Sequence, residues 1–120
     1  MENFSYRKLR VYQYSKAFVI SVYNLQKQFP AEEKFALGDQ LRRAAISIPS
    51  NIAEGVSRTS AKEQLHFLEI AYGSLNEVMC QLELAQELNY ISQHKLSEIE
   101  QEYQVIAQML SGLRRSKQGE

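Results

Sequence analysis

Residues 92–115 read SQHKLSEIEQEYQVIAQMLSGLRR, and within them Leu96, Ile99, Tyr103, Ile106, Leu110 and Leu113 recur at alternating spacings of three and four. That heptad period lays the apolar side chains along one side of a helix. Glu98 and Glu100 stand toward its start and Arg114 and Arg115 toward its end, which opposes the helix dipole favourably. A helix over about 92–114 follows.

Moving toward the N-terminus, Asn89 and Tyr90 supply a turn, and before it Leu65, Leu68, Ala71, Tyr72, Leu75, Val78, Met79, Leu82 and Ala85 form another helical stripe. Ser60-Ala61-Lys62-Glu63 is a capping box that starts this helix, so its span is about 60–88. Gly55 and the polar run Ser57-Arg58-Thr59-Ser60 close the segment before it. That second segment, about 32–56, sets Leu37, Leu41, Ala45, Ile48 and Ile52 on one side, and the period passes through Pro49. A proline inside a helix removes a hydrogen bond and crowds the carbonyl four residues back, costing about 3 kcal/mol. One helix kinked at Pro49 is the reading preferred; two shorter helices broken at Ser47 to Pro49 is the rival. The first segment, about 9–28, carries Val11, Tyr14, Phe18, Val22, Leu25 and Phe29, and Phe29-Pro30 ends it.

No alternating apolar and polar run of strand length occurs, so the fold class expected is all-α. Four amphipathic helices joined by short connections make antiparallel neighbours, hence an up-and-down four-helix bundle. At 120 residues it is expected as a single domain, 1–120.

Composition narrows the function classes. Lys plus Arg and Asp plus Glu number 14 each, so no net field draws the chain to nucleic acid or anionic lipid and any such binding needs a local patch. Cys80 is the one cysteine, which excludes an intrachain disulfide and a multi-cysteine zinc site; a reducing cytoplasm is the compartment expected. The N-terminal residues lack a secretory pattern, and charged or amide side chains interrupt every apolar run well short of the roughly 20 residues a membrane crossing takes.

Little points to catalysis. His66 and Glu69 share a helix face, but His94 lies on another helix, and a solvated face is the better account than a metal site. No cofactor, no metal and no small-molecule substrate are expected. Cys80 next to Met79 reads as a packing residue, and Gly73 in mid-helix reads as a point of close approach toward Ala44 and Ala45.

Two sets of residues remain once the core faces are assigned. Arg43, Ser47, Asn51, Glu54 and Arg58 fall within about 80° on the second helix. With Arg42 they are the candidate for binding nucleic acid or a partner; the ordinary alternative is a solvated face with spaced ion pairs. Ser47 and Asn51 are also candidates to satisfy the carbonyl that Pro49 frees. Tyr12, Val19 and Tyr23 form a second apolar edge on the first helix, and Ile70, Leu84 and Leu88 stand nearly opposite the core face of the third. Second apolar faces usually meet another subunit, so these six are the candidate interface of a homo-oligomer; the ordinary alternative is scattered surface apolar residues.

The string Gln40-Leu41-Arg42-Arg43-Ala44-Ala45-Ile46-Ser47-Ile48-Pro49-Ser50-Asn51-Ile52-Ala53-Glu54-Gly55, with Arg58 after it, resembles the signature of the 23S rRNA intervening-sequence protein family of bacterial four-helix-bundle proteins. Phe4 to Tyr14, Phe29-Pro30 and Ile70 to Glu77 also resemble the family, while Ala36-Leu37-Gly38 departs from it by placing glycine after the leucine. The resemblance implies a ring-like homopentamer and leaves the biochemical role undefined. Accessory proteins of diversity-generating retroelements are similar bundles that are basic and bind nucleic acid and a reverse transcriptase; this chain is neutral. The expected partners are therefore further copies of itself and RNA or DNA through Arg42, Arg43, Arg58 and the basic ends Arg7, Lys8, Arg10, Arg114, Arg115 and Lys117. The alternative is a protein-interaction scaffold or accessory subunit with no nucleic-acid contact.

Overall fold

Four helices pack in cyclic order in the computed structural model, which describes residues 6–119. They are α1 (Arg10–Gln26), α2 (Leu37–Val56), α3 (Ala61–Glu87) and α4 (Gln93–Gln118). α1 meets α2 and α4, and α3 meets α2 and α4, with no diagonal contact, which is the up-and-down arrangement. The bundle measures 45 × 23 × 20 Å.

The stripes become the core where the period is cleanest. Phe18, Val22, Leu41, Ile48, Ile52, Leu68, Leu75, Leu82, Ile106 and Leu110 are buried together. Each large side chain taken out of water contributes roughly 1.5–3 kcal/mol, so this one cluster is the principal source of stability. α1 departs from its expected stripe at one place: Tyr14 is 41% exposed and Ser15 is buried in its stead. Ser15 donates to the Tyr12 carbonyl at 2.8 Å, which lets a small hydroxyl sit inside without an orphaned donor.

α2 starts later than the expected boundary near residue 32. Ala31–Glu33 is a 3-10 turn, and the α-helix begins only at Leu37. Glu33 holds this corner: one carboxylate oxygen accepts from the Leu37 amide at 3.2 Å and the other from the Tyr90 hydroxyl at 2.7 Å. Tyr90 in turn packs on Phe29 at 5.4 Å between centroids. Gly38 is required here, because a Cβ would lie 2.8 Å from the Glu33 carbonyl oxygen.

α2 then runs unbroken through Pro49, which removes the two-helix alternative. The amide of Asn51 donates to the Ser47 carbonyl at 2.9 Å and not to the Ala45 carbonyl that Pro49 leaves without its helical donor. At the far end Gly55 lets α3 approach, since a Cβ would meet the Gln64 carbonyl oxygen and the Phe67 Cβ at 3.2 Å each. Ser60 caps α3 by accepting from the Glu63 amide at 3.1 Å, and Ser92 caps α4 by accepting from Lys95 at 3.1 Å. Such caps are worth about 1 kcal/mol each. Asn89 takes φ 67° in the turn between them, a left-handed conformation its short polar side chain tolerates.

Two expectations for α3 fail. Nothing lies within 4 Å of a Cβ built on Gly73, so that glycine faces open space and brings no helix closer. Cys80 is exposed and packs no core, because it falls on the side of α3 away from α2 and α4.

Candidate functional site

The polar stripe of α2 faces α3 and is tied to it. Ser74 on α3 donates its hydroxyl to that of Ser47 at 2.9 Å, and Asn51 donates to the same Ser47 oxygen at 2.9 Å. One turn toward the start of α2, Gln40, Arg43, Ala44 and Ser47 border a shallow polar cleft completed by Ser74 and Glu77. Gln81, buried one turn further along α3, donates to Glu77 at 3.1 Å. The stripe is therefore a hydrogen-bonded seam, and its hydroxyls and amides are largely satisfied within the fold.

The arginines expected to contact a partner divide into two kinds. Arg42 points inward: it donates to Gln26 Oε1 at 2.6 Å and to the Lys34 carbonyl at 2.9 Å, lashing the α1–α2 connection to both helices. Its side chain is only 20% exposed. Arg43 is 78% exposed and reaches Asp39 at 3.1 Å. Arg58 pairs with Glu54 and lies over the Phe67 ring at 4.8 Å from the centroid. Each arginine of the stripe thus has a carboxylate one turn earlier, which cancels much of the field a phosphate would feel.

A stronger electrostatic feature comes from the topology. Antiparallel packing gathers the start of α1, the end of α2, the start of α3 and the end of α4 at one pole. Among the described residues, that half of the bundle carries Arg7, Lys8, Arg10, Lys16, Arg58, Lys62, Arg114, Arg115 and Lys117 against Glu54, Glu63 and Glu69; Glu2 and Glu120 lie outside the described residues. The opposite half carries Glu32, Glu33, Asp39, Glu77, Glu83, Glu87, Glu98, Glu100 and Glu102 against Lys27, Lys34, Arg42, Arg43 and Lys95. A chain with no net charge is thereby strongly polarised along its 45 Å axis. Reading net charge alone misses this; listing the charges by helix end finds it.

Apolar grooves flank α1 on both sides. Tyr12, Val19 and Ile20 of α1 line a groove of about 290 Å³ with Ile46 and Pro49 of α2. On the other flank Tyr14 and Ala17 face Val105 and Ile106 of α4 across a groove of about 450 Å³. Ile20 and Ile46 are 62% and 46% exposed, and the sequence reading passed over both. Tyr23 continues the first flank, half-buried. On α3, Leu84 and Leu88 adjoin as exposed neighbours, whereas Ile70 stands 14 residues from Leu84, about 21 Å along the helix, and belongs to a different surface.

The residues once weighed for a metal do not meet. His94 pairs with Glu98 at 3.1 Å, His66 packs on Phe67 at the other pole, and among the described residues no group of three or more His, Cys, Asp or Glu side chains gathers. No helix among them is long and apolar enough to cross a membrane. The Glu102 carboxyl is held above its ordinary range: partial burial between α1 and α4 raises it, and a 3.0 Å hydrogen bond from Ser21 works in the opposite direction.

The sequence profile of the 23S rRNA-intervening sequence proteins matches residues 7–112, which takes in all four helices up to the last turns of α4. The chain belongs to that family. A solved structure from Bacteroides thetaiotaomicron, described as a protein of unknown function from the S23 ribosomal protein family, superposes with a TM-score of 0.80 at 27% identity. The match covers 87% of this chain and 97% of that one. Comparison with curated proteins gives no match. In this intervening-sequence protein, then, the signature segment 40–55 holds the Arg42 tie, the Ser47 seam and the Gly55 approach.

Proposed function

We propose that this intervening-sequence protein is a non-enzymatic, homo-oligomeric bundle of the cytoplasm that binds RNA through its basic pole. The observation that carries the reading is the segregation of charge: among the described residues, nine basic side chains against three acidic ones in the half containing the start of α1 and the end of α4. Phosphate backbones bind such surfaces by releasing counterions, so the overall neutrality of the chain is no obstacle to a local site. Arg42, Ser47 and Asn51 make hydrogen bonds within the bundle, Arg43 sits in an exposed pair with Asp39, and Arg58 with its partner Glu54 stands at the pole. Self-association is supported by the apolar flank Tyr12, Val19, Ile20, Tyr23 and Ile46, a contiguous surface of a kind that ordinarily meets another subunit. A subunit number of five comes from the family resemblance.

A gel shift with structured RNA tests the reading. Binding at about 50 mM salt that weakens by a factor of 10 or more at about 200 mM is expected, together with loss of binding in Lys8→Glu/Arg115→Glu. Absence of a shift at low salt overturns it. The pairing of Arg43 with Asp39 and of Arg58 with Glu54 favours a second reading, a protein-interaction scaffold without nucleic acid. On that reading Arg43→Ala and Arg58→Ala change the mass seen by light scattering while RNA binding is absent throughout.

A further inference from the structure

Each of the four grooves between neighbouring helices has, in its basic half, a cation lying on an aromatic ring. In the α1–α2 groove Lys16 lies over Tyr12 at 5.1 Å. In the α2–α3 groove Arg58 lies over Phe67 at 4.8 Å. In the α3–α4 groove Arg114 lies over Tyr72 at 4.2 Å, and in the α4–α1 groove Arg10 lies over Tyr14 at 5.6 Å. Among the described residues one further pair, Lys34 over Phe35, lies at the acidic pole, so four of the five are gathered at the basic one.

We infer that the basic pole takes a single-stranded nucleic acid, wound around the girth of the bundle so that unpaired bases stack on these cation-covered rings. The inference rests on the reading that this pole binds a phosphate backbone, and it names the strand form. Three features select an unpaired strand. A base offers a free face for stacking only when it is out of a duplex, and the arginines lying on these rings offer guanidinium planes on which a base stacks, while Lys16 and Arg10 supply charge for the adjoining phosphates. The pairs occupy four different sides of a cross-section of 23 × 20 Å. A duplex with a persistence length of about 50 nm lies along one side and reaches one groove or two, whereas a flexible strand follows the surface from groove to groove. Exposure is greatest on the α1 side, where Arg10, Lys16 and Tyr14 are exposed; the Arg58 side chain is 41% exposed, while Arg114 is 24% exposed and pairs with Glu69 at 3.7 Å, and Tyr12, Phe67 and Tyr72 are half-buried.

The test uses the full chain and fluorescence anisotropy with labelled oligo-uridine and oligo-thymidine of about 12 nucleotides, within the usual site size for sequence-tolerant strand binding, and the matching duplexes. Both single strands are expected to bind at least tenfold tighter than either duplex. Engagement of about four phosphates gives a slope near −3 in log affinity against log salt. Tyr14→Leu/Tyr72→Leu, checked for an unchanged melting temperature, is expected to lose about fivefold in single-strand affinity with the salt slope kept; Lys62→Glu/Arg115→Glu is expected to lose more and to flatten the slope. Lys27→Glu/Lys95→Glu, at the acidic pole, is the control expected to change nothing.

Equal affinity for strands and duplexes, or full single-strand affinity in the folded tyrosine variant, overturns the inference and leaves the basic pole as a general phosphate site. No binding to any oligonucleotide at about 50 mM salt overturns both. Binding to anionic phosphatidylserine vesicles alone also overturns both and assigns the pole to a membrane surface.

Discussion

The hydroxyl of Ser74 donates to the hydroxyl of Ser47 at 2.9 Å, joining the two most extensively packed helices of the bundle, α2 and α3, through side chains of minimal size. The same Ser47 oxygen accepts from Asn51 at 2.9 Å, so one atom serves two donors. Ser47→Ala leaves Ser74 without its acceptor and Asn51 with the Ser47 carbonyl, and is expected to cost about 1 kcal/mol in chemical denaturation. Ser74→Ala is expected to cost less, and in the double variant the two costs fall short of adding, because they remove one shared bond. Full additivity would mean that the bond contributes nothing.

Arg42 and Arg43 are adjacent in sequence and opposite in consequence. Arg42 makes two hydrogen bonds at 2.6 and 2.9 Å across the α1–α2 connection, while Arg43 makes one solvent-facing ion pair. Arg42→Ala is expected to destabilise by about 1.5–3 kcal/mol and Arg43→Ala by less than about 0.5. Equal melting temperatures for the two variants would contradict this assignment.

Two helical glycines are expected to respond in opposite directions to alanine. Gly73 has open space around it, so Gly73→Ala gains about 1 kcal/mol from helix propensity. At Gly38 a Cβ would press on the Glu33 backbone oxygen at 2.8 Å, and Gly38→Ala is destabilising despite the same propensity gain. Thermal melts of the two variants check the contrast.

Glu102 should make stability fall slightly as pH rises. Its carboxyl is raised in the folded protein, so the folded state binds the proton more tightly than the unfolded chain does. Stability from this group is complete below the ordinary carboxylate range, near pH 4, and is lost as pH rises through the higher folded value. Glu102→Gln, which keeps an acceptor for Ser21, is expected to raise the melting temperature a little at pH 7 and to leave it unchanged at about pH 3.5. Because the group is partly solvated, the gain is small.

Legibility in the sequence followed locality. The three-four spacing in residues 92–113 survives as the α4 face, with Leu96, Ile99, Ile106 and Leu110 buried, because a helix converts spacing along the chain directly into direction. The serine cap at Ser60 and the turn at Asn89 were likewise readable, each resting on residues within a few positions, whereas the cap at Ser92 came from the structure. Tyr14 was misplaced because a stripe assigns a face without saying how wide the neighbouring helices make it, and α1 packs less extensively than α2 and α3 do.

By itself the sequence determined four amphipathic helices, their order, their short connections and hence the up-and-down bundle, since all of these depend on periodicity and punctuation over short stretches. Only the tertiary structure decided that Arg42 is a tie and Arg43 is exposed, that Ser47 meets Ser74 27 residues away, and that Gly38 and not Gly73 is sterically required. It also decided the polarity of the molecule. Charges spread evenly enough along the chain to cancel are sorted by antiparallel packing, which brings four distant helix ends to one pole and makes a neutral sequence into a protein with a basic end.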